Sequence, residues 1–173
     1  MTTARDDAAP ASWEAAYPEL KKIARARLHA AQHGPPGRQS TAAYRERLGR
    51  LLLDRGRTGA AQAQLQRVVD DAAVKTWSHV ALAQAGLARA ALARGAQADA
   101  QALSQQALAT WGGLTGFRDM RMQPYLWRVR AAVLAAAGDA AGAQALRDQA
   151  MAASRRYDAP DSPTVTEPQF LGL

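Results

Sequence analysis

Apolar residues along the chain recur at three- and four-residue spacing, and no stretch shows the β-branched alternation of a strand, so the pattern predicts an all-α protein. From Ser12 to about His33, the positions Trp13, Tyr17, Leu20, Ala24, Leu28 and Ala31 form one apolar stripe, with Lys21, Lys22, Arg25 and Arg27 on other faces. This is an N-terminal amphipathic helix, expected over 12–33 behind a disordered 1–11. Pro18 places its regular start at that residue, because proline removes a hydrogen bond deeper in a helix. Gly34-Pro35-Pro36-Gly37 cannot continue it, and 34–40 reads as a linker.

The segment 41–157 contains an internal repeat. Gly56, Gly95 and Gly138 each stand five residues before the same tripeptide, Ala61-Gln62-Ala63, Ala100-Gln101-Ala102 and Ala143-Gln144-Ala145. Upstream of each glycine lies an apolar helical stretch containing Leu48 and Leu52, Leu87 and Ala91, or Trp127 and Leu134. Downstream, Val68-Val69, Ala107-Leu108 and Ala150-Met151 fall at equal distances. The unit is helix, glycine turn, helix. Glycine ends the first helix by taking a left-handed conformation at little cost, and the alanine five residues later lets the second helix come close. One such pair cannot bury its apolar face, so the pairs are expected to stack on a shared core.

This pattern resembles the tetratricopeptide repeat. Gly49, Ala88 and Ala131 occupy its small first-helix position, Ala61, Ala100 and Ala143 the second, and Ala107 and Ala150 the later one, where Val68 departs mildly. Leu48 and Leu87 fit its large apolar position, which Arg130 does not. The turn glycines are 39 and 43 residues apart, longer than the roughly 34 usual for this repeat. The extra residues fall around Asp71 to Ser78 and Trp111 to Gln123, and the closing proline of the consensus is missing from every copy. The resemblance implies three helical hairpins in a short right-handed solenoid, similar to helical regions carboxy-terminal to some bacterial serine/threonine kinases. A second, local resemblance is that of Tyr17-Pro18-Glu19-Leu20 and the arginine-rich stretch to Leu28, which looks like the opening helix of extracytoplasmic-function sigma factors. The promoter-reading segments and helix-turn-helix of that family are not recognisable.

Composition narrows the function. The 173 residues include 43 alanines, two phenylalanines and no cysteine, which removes disulfides, thiol catalysis and cysteine-based zinc sites. No apolar run approaches the roughly 20 residues a bilayer needs, and no signal peptide is visible, so a soluble, cytoplasmic chain is expected. The formal charge of +7 is spread out and carried mostly by arginine, with only Lys21, Lys22 and Lys75 as lysines, so nucleic acid is not the expected partner. His29 and His33 share helical spacing but lack a third ligand, no nucleophile elbow, Walker loop or kinase motif is present, and adjacent Asp70-Asp71 point in different directions. The chain is therefore read as a non-enzyme without cofactor or metal.

In the repeat register the first helices line a concave face. Arg50 and Arg89 are equivalent, six residues before their glycines, Glu46 and Arg128 share another position, and Tyr125 lies one turn before Arg128. These five are the expected partner-binding residues, suited to an acidic protein or peptide. The Gly112 to Gln123 insertion, with Phe117, Arg118 and Arg121, is the competing contact loop. Trp127 is expected in the core, with Trp77 and Trp111 flanking the second hairpin. The proline-rich 158–173 is expected to be a flexible tail, and oligomeric state is left open between a monomer and a homo-oligomer. The function expected is a scaffold or sensor that displays a binding face. The alternative is a transcription-associated regulator whose basic N-terminal helix contacts RNA polymerase or DNA.

Overall fold

A computed structural model describes residues 37–71, 78–115 and 118–167. The amphipathic helix expected over 12–33 lies outside them, as do His29, His33 and Trp77. The described residues form helices α1 (Gly37–Asp54), α2 (Thr58–Asp70), α3 (Ser78–Ala93), α4 (Gln97–Gly112), α5 (Gln123–Ala136), α6 (Ala140–Ser154) and a single turn α7 (Pro163–Thr166), with no strand among them. A 3-10 turn, Met120–Met122, leads into α5. Residues 37–40, expected to be part of the linker, already belong to α1.

The three turn glycines do what their spacing predicts. Gly56, Gly95 and Gly138 have φ of 68°, 74° and 86°, the left-handed region, and no other described residue has a positive φ. Around each, the glycine N–H bonds back to the residue three before it, and the next N–H reaches five residues back, as in Arg57 to Leu52 (2.8 Å), Ala96 to Ala91 (3.0 Å) and Asp139 to Leu134 (3.0 Å). This pair of bonds is the Schellman arrangement, which satisfies the carbonyls left open where α1, α3 and α5 end. The chain therefore reverses at once, and α1 packs on α2, α3 on α4 and α5 on α6.

Small residues set how closely those helices approach. Ala61, Ala88, Ala100, Ala131 and Ala143 are all buried to 1% or less. At the first junction the contact is tighter still. A Cβ on Gly49 would sit 2.5 Å from Leu65 Cγ, and one on Gly86 would sit 2.8 Å from Leu65 Cδ1. Leu65, fully buried on α2, thus fills a slot formed by glycines of α1 and α3. That slot belongs to a cluster with Leu52, Leu53, Val68, Val80 and Leu87. A second cluster joins Leu82 and Ala85 of α3 to Trp111 of α4 and to Leu126 and Val129 of α5. Helix α3 serves both clusters, and every residue from Val80 to Ala91 is buried. A helix buried on all sides over this stretch, with Gln84 and Arg89 as its only buried polar side chains, belongs at the centre of a stack, and that is where α3 lies, against α1, α2, α4 and α5.

Two details depart from the sequence reading, the core tryptophan and the tail, and between them Arg130 shows what its break with the repeat pattern does. Trp111, not Trp127, is the core tryptophan: it is 2% exposed in the second cluster, while Trp127 is only half-buried. Position 127 faces sideways because the apolar stripe of α5 runs through Leu126, Val129 and Val133. Arg130, in place of a large apolar residue, reaches across to α4 and donates to the buried Ser104 hydroxyl at 3.1 Å. Within the segment expected to be a flexible tail, α7 forms and Val165 is 8% exposed, since Ser162 and Pro163 start a helical turn that a short window of periodicity does not reveal.

Leu65→Ala is expected to lower stability by about 2–5 kcal/mol, the range for emptying a fully buried leucine site. Gly49→Ala should destabilise the natural chain but be tolerated in the Leu65→Ala background, where the methyl fills the space left behind. Denaturant unfolding of the two single variants and the double variant measures the coupling, and simple additivity would contradict the slot.

Candidate functional site

The first helix of each pair contributes one wall of a shared cleft of about 370 Å³. Helix α1 supplies Arg47, Arg50 and Asp54, all on one face by three- and four-residue spacing. Helix α3 supplies Arg89, and α5 supplies Tyr125 and Arg128, again one turn apart. The 3-10 turn adds Arg121 and Met122, and the segment after α6 adds Asp158 and Thr164. Five guanidinium groups and two carboxylates thus face one space.

At its centre stands Tyr125. The Arg50 guanidinium carbon lies 4.9 Å from the ring centroid and that of Arg89 5.8 Å away, so two cations use the electron-rich ring. Arg89 also donates to the Tyr125 hydroxyl at 3.4 Å and to Asp54 Oδ1 at 2.8 Å. Only 4% of Arg89 is exposed, and burial alone would depress its pKa, but Tyr125 and the Asp54 carboxylate outweigh burial and hold it above the ordinary value. Burial pushes the Tyr125 phenol above its usual pKa, with Arg89 and Arg50 pulling the other way.

Glu46 is the residue that the sequence misassigned. It is 1% exposed and does not line the cleft. Its Oε1 lies 2.6 Å from Arg50 Nε, without the alignment of a hydrogen bond, and its Oε2 lies 3.7 Å from His79 Nδ1 on α3. Glu46 is thus a buried counter-charge that holds Arg50 from behind and not a contact residue. Its shared register with Arg128 placed both on one helix face, but α3 covers the position on α1. Arg50, Arg89, Tyr125 and Arg128 do come together, as the register implied.

Sequence reasoning passed over Arg47, Asp54, Asp158 and Thr164. Arg47 and Asp54 lie three residues before and four after Arg50, a spacing that puts them on its face and was the available signal. Arg47 is exposed and has no ion-pair partner among the described residues. Arg121, from the insertion named as the competing contact, reaches the same cleft, so the insertion adds to the first-helix face. Asp119 makes this possible by accepting from the Arg121 backbone N–H (3.2 Å) and guanidinium (2.9 Å and 2.8 Å), and Arg118 ties the loop to the Trp111 carbonyl. The Arg121 side chain holds the Asp119 carboxyl below its usual pKa.

Among the described residues no group of three or more His, Cys, Asp or Glu is placed to hold a metal, and no helix is long and apolar enough to cross a membrane. Comparison of the chain with protein-family models, curated proteins and solved structures finds no match.

The raised Tyr125 pKa fixes a sign. Its phenol stays neutral in the folded chain at a pH where the unfolded chain ionises, so the stability it confers is complete below pH 10 and is lost as pH rises through the folded value. Alkaline titration of phenolate absorbance should show one late-ionising tyrosine that Tyr125→Phe removes. Stability above pH 10 should fall more steeply in the natural chain than in that variant, and equal slopes would contradict the assignment.

Proposed function

We propose that the chain is a non-catalytic helical-repeat module whose arginine-lined cleft binds an acidic segment of a protein or peptide. The observation that carries this reading is the convergence of five guanidinium groups on one cleft against two carboxylates. Guanidinium is suited to the task because its planar fork of donors matches a carboxylate in two parallel bonds. The volume, about 370 Å³, suits a few side chains and not a whole helix.

The repeat resemblance supports the same reading. Schellman turns at Gly56, Gly95 and Gly138, and the buried alanines five residues after each, are the features a stacked array of tetratricopeptide-like hairpins requires. In such an array the first helices line the inner face, and α1, α3 and α5 are the helices that supply the cleft. Binding would come from a preformed surface. Arg89 is already pinned by Asp54 and Tyr125, and Arg50 by Glu46, so little side-chain freedom remains to be lost when a ligand arrives. The alternative, a transcription-associated regulator, rests on Tyr17 to Leu28, which lie outside the described residues.

The test is the binding of a fluorescein-labelled hexaglutamate peptide by the full chain. Arg47→Gln alters an exposed group with no ion pair among the described residues, Arg121→Gln an exposed group paired only with its neighbour Asp119, and each is expected to weaken binding about threefold, with affinity falling steeply as salt rises. Affinity insensitive to both variants and to salt would overturn the reading, as would tighter binding to duplex DNA than to the peptide.

A further inference from the structure

Two arginines of the cleft are almost wholly buried, and they are satisfied differently. Arg89, 4% exposed, has a carboxylate: Asp54 accepts from it at 2.8 Å. Arg128, 5% exposed, has none within ion-pair distance among the described residues. Its Nη2 donates to the Ser154 hydroxyl at 3.1 Å and to the backbone carbonyl of Thr164, and its Nε has no partner among the described residues. A cation withdrawn from water is costly, and neutral acceptors return only part of what an anion would. Among the described residues only the Asp158 carboxylate, beyond ion-pair distance, offsets the burial that depresses the Arg128 pKa, so a buried cation lining the cleft has room for a closer anion.

The Thr164 carbonyl comes from the strap 158–167, which folds back over the end of α6. That strap is lightly held. Val165 is its one buried residue, and the bonds of Thr164 Oγ1 to Asp158 Oδ2 (2.6 Å) and Ser162 Oγ (2.7 Å) lie within the strap itself, while polar bonds to the rest of the described fold are those of the Thr164 carbonyl with Arg128 and of the Asp158 N–H with the Ser154 carbonyl at 2.9 Å. Ala159, Pro160, Asp161, Pro163, Thr166 and Glu167 are exposed. The strap therefore presents to a buried guanidinium the same group, a peptide carbonyl, that an extended ligand would present, with the Asp158 carboxylate lining the cleft beside it.

We propose that Arg128 anchors the anionic group of the ligand, and that the Thr164 carbonyl holds its place until the ligand displaces the strap. This rests on the acidic-peptide reading of the cleft and adds to it a competition within the chain. The strap satisfies Arg128 in the free protein and keeps the anchor from weak anions. A ligand must then bring a full negative charge to repay strap release, which makes the strap a filter as well as a cover. Its apparent effect on affinity equals the fraction of time the strap is undocked.

Two measurements on the full chain test this. The sequence has no cysteine, so Glu167→Cys gives a single site for a nitroxide on the exposed end of the strap. Saturating hexaglutamate should increase the mobility of that label. Separately, Val165→Ser, which loosens the strap without altering a residue that lines the cleft, should tighten binding of the labelled hexaglutamate by about three- to tenfold. Arg128→Gln should abolish both responses, and if that variant fails to fold, the other two measurements still decide. A label that does not respond at saturation, or an affinity unchanged or weakened in Val165→Ser, overturns the competition while leaving the acidic-peptide cleft intact. Failure of the natural chain to bind hexaglutamate at all overturns both.

Discussion

The fit of Leu65 between Gly49 and Gly86 is the contact on which the rest of the structure depends. It lets α1 and α3 lie against the same face of α2 with no side chain between them and the leucine, and so sets their mutual separation. Because α3 is buried on all sides, that spacing is passed on through Leu82 and Ala85 to α5. Only at that separation can guanidinium groups from α1 and α3 reach one tyrosine of α5. A side chain larger than glycine at 49 or 86 would push the helices apart, and the core and the cleft would change together.

The cleft carries its charge through division of labour between paired and unpaired cations. Glu46 and Asp54 neutralise Arg50 and Arg89 from within the fold, which makes those two arginines structural as well as electrostatic. Arg89, at 4% exposure, cannot be exchanged for a carboxylate without loss of the packing around Tyr125. The charge left for a partner resides instead in Arg47, which is exposed, and in Arg128, which is buried with no carboxylate within ion-pair distance among the described residues, while Arg121, exposed at the rim, shares its charge with Asp119. Attraction at the rim and an anchor at depth is a sensible arrangement for a charged ligand, since rim charges govern encounter and buried ones govern residence.

Much of this was legible in the sequence, for identifiable reasons. A left-handed turn needs glycine, and a close helix crossing needs alanine or glycine, so three glycines each followed by the same tripeptide marked the three reversals directly. The convergence of Arg50, Arg89, Tyr125 and Arg128 followed from the register those glycines set. Depth did not. Periodicity assigns a face, but whether a residue on that face meets solvent depends on what the neighbouring helix covers, and so Glu46 was taken for a contact and Trp127 for core. The strap was also hidden, because one helical turn pinned by one valine leaves no periodic trace.

The most direct test of the central claim, that α1, α3 and α5 present one acidic-peptide cleft, is a nuclear magnetic resonance titration of the full chain with hexaglutamate, following backbone amides and arginine side chains. The account predicts that shifts concentrate at Arg47, Arg50, Arg121, Tyr125 and Arg128, while residues of α2 and α4 that face away stay unmoved. Shifts centred instead on the outer helices, such as Gln62, Gln66 and Asp99, or spread evenly over every exposed arginine, would contradict it.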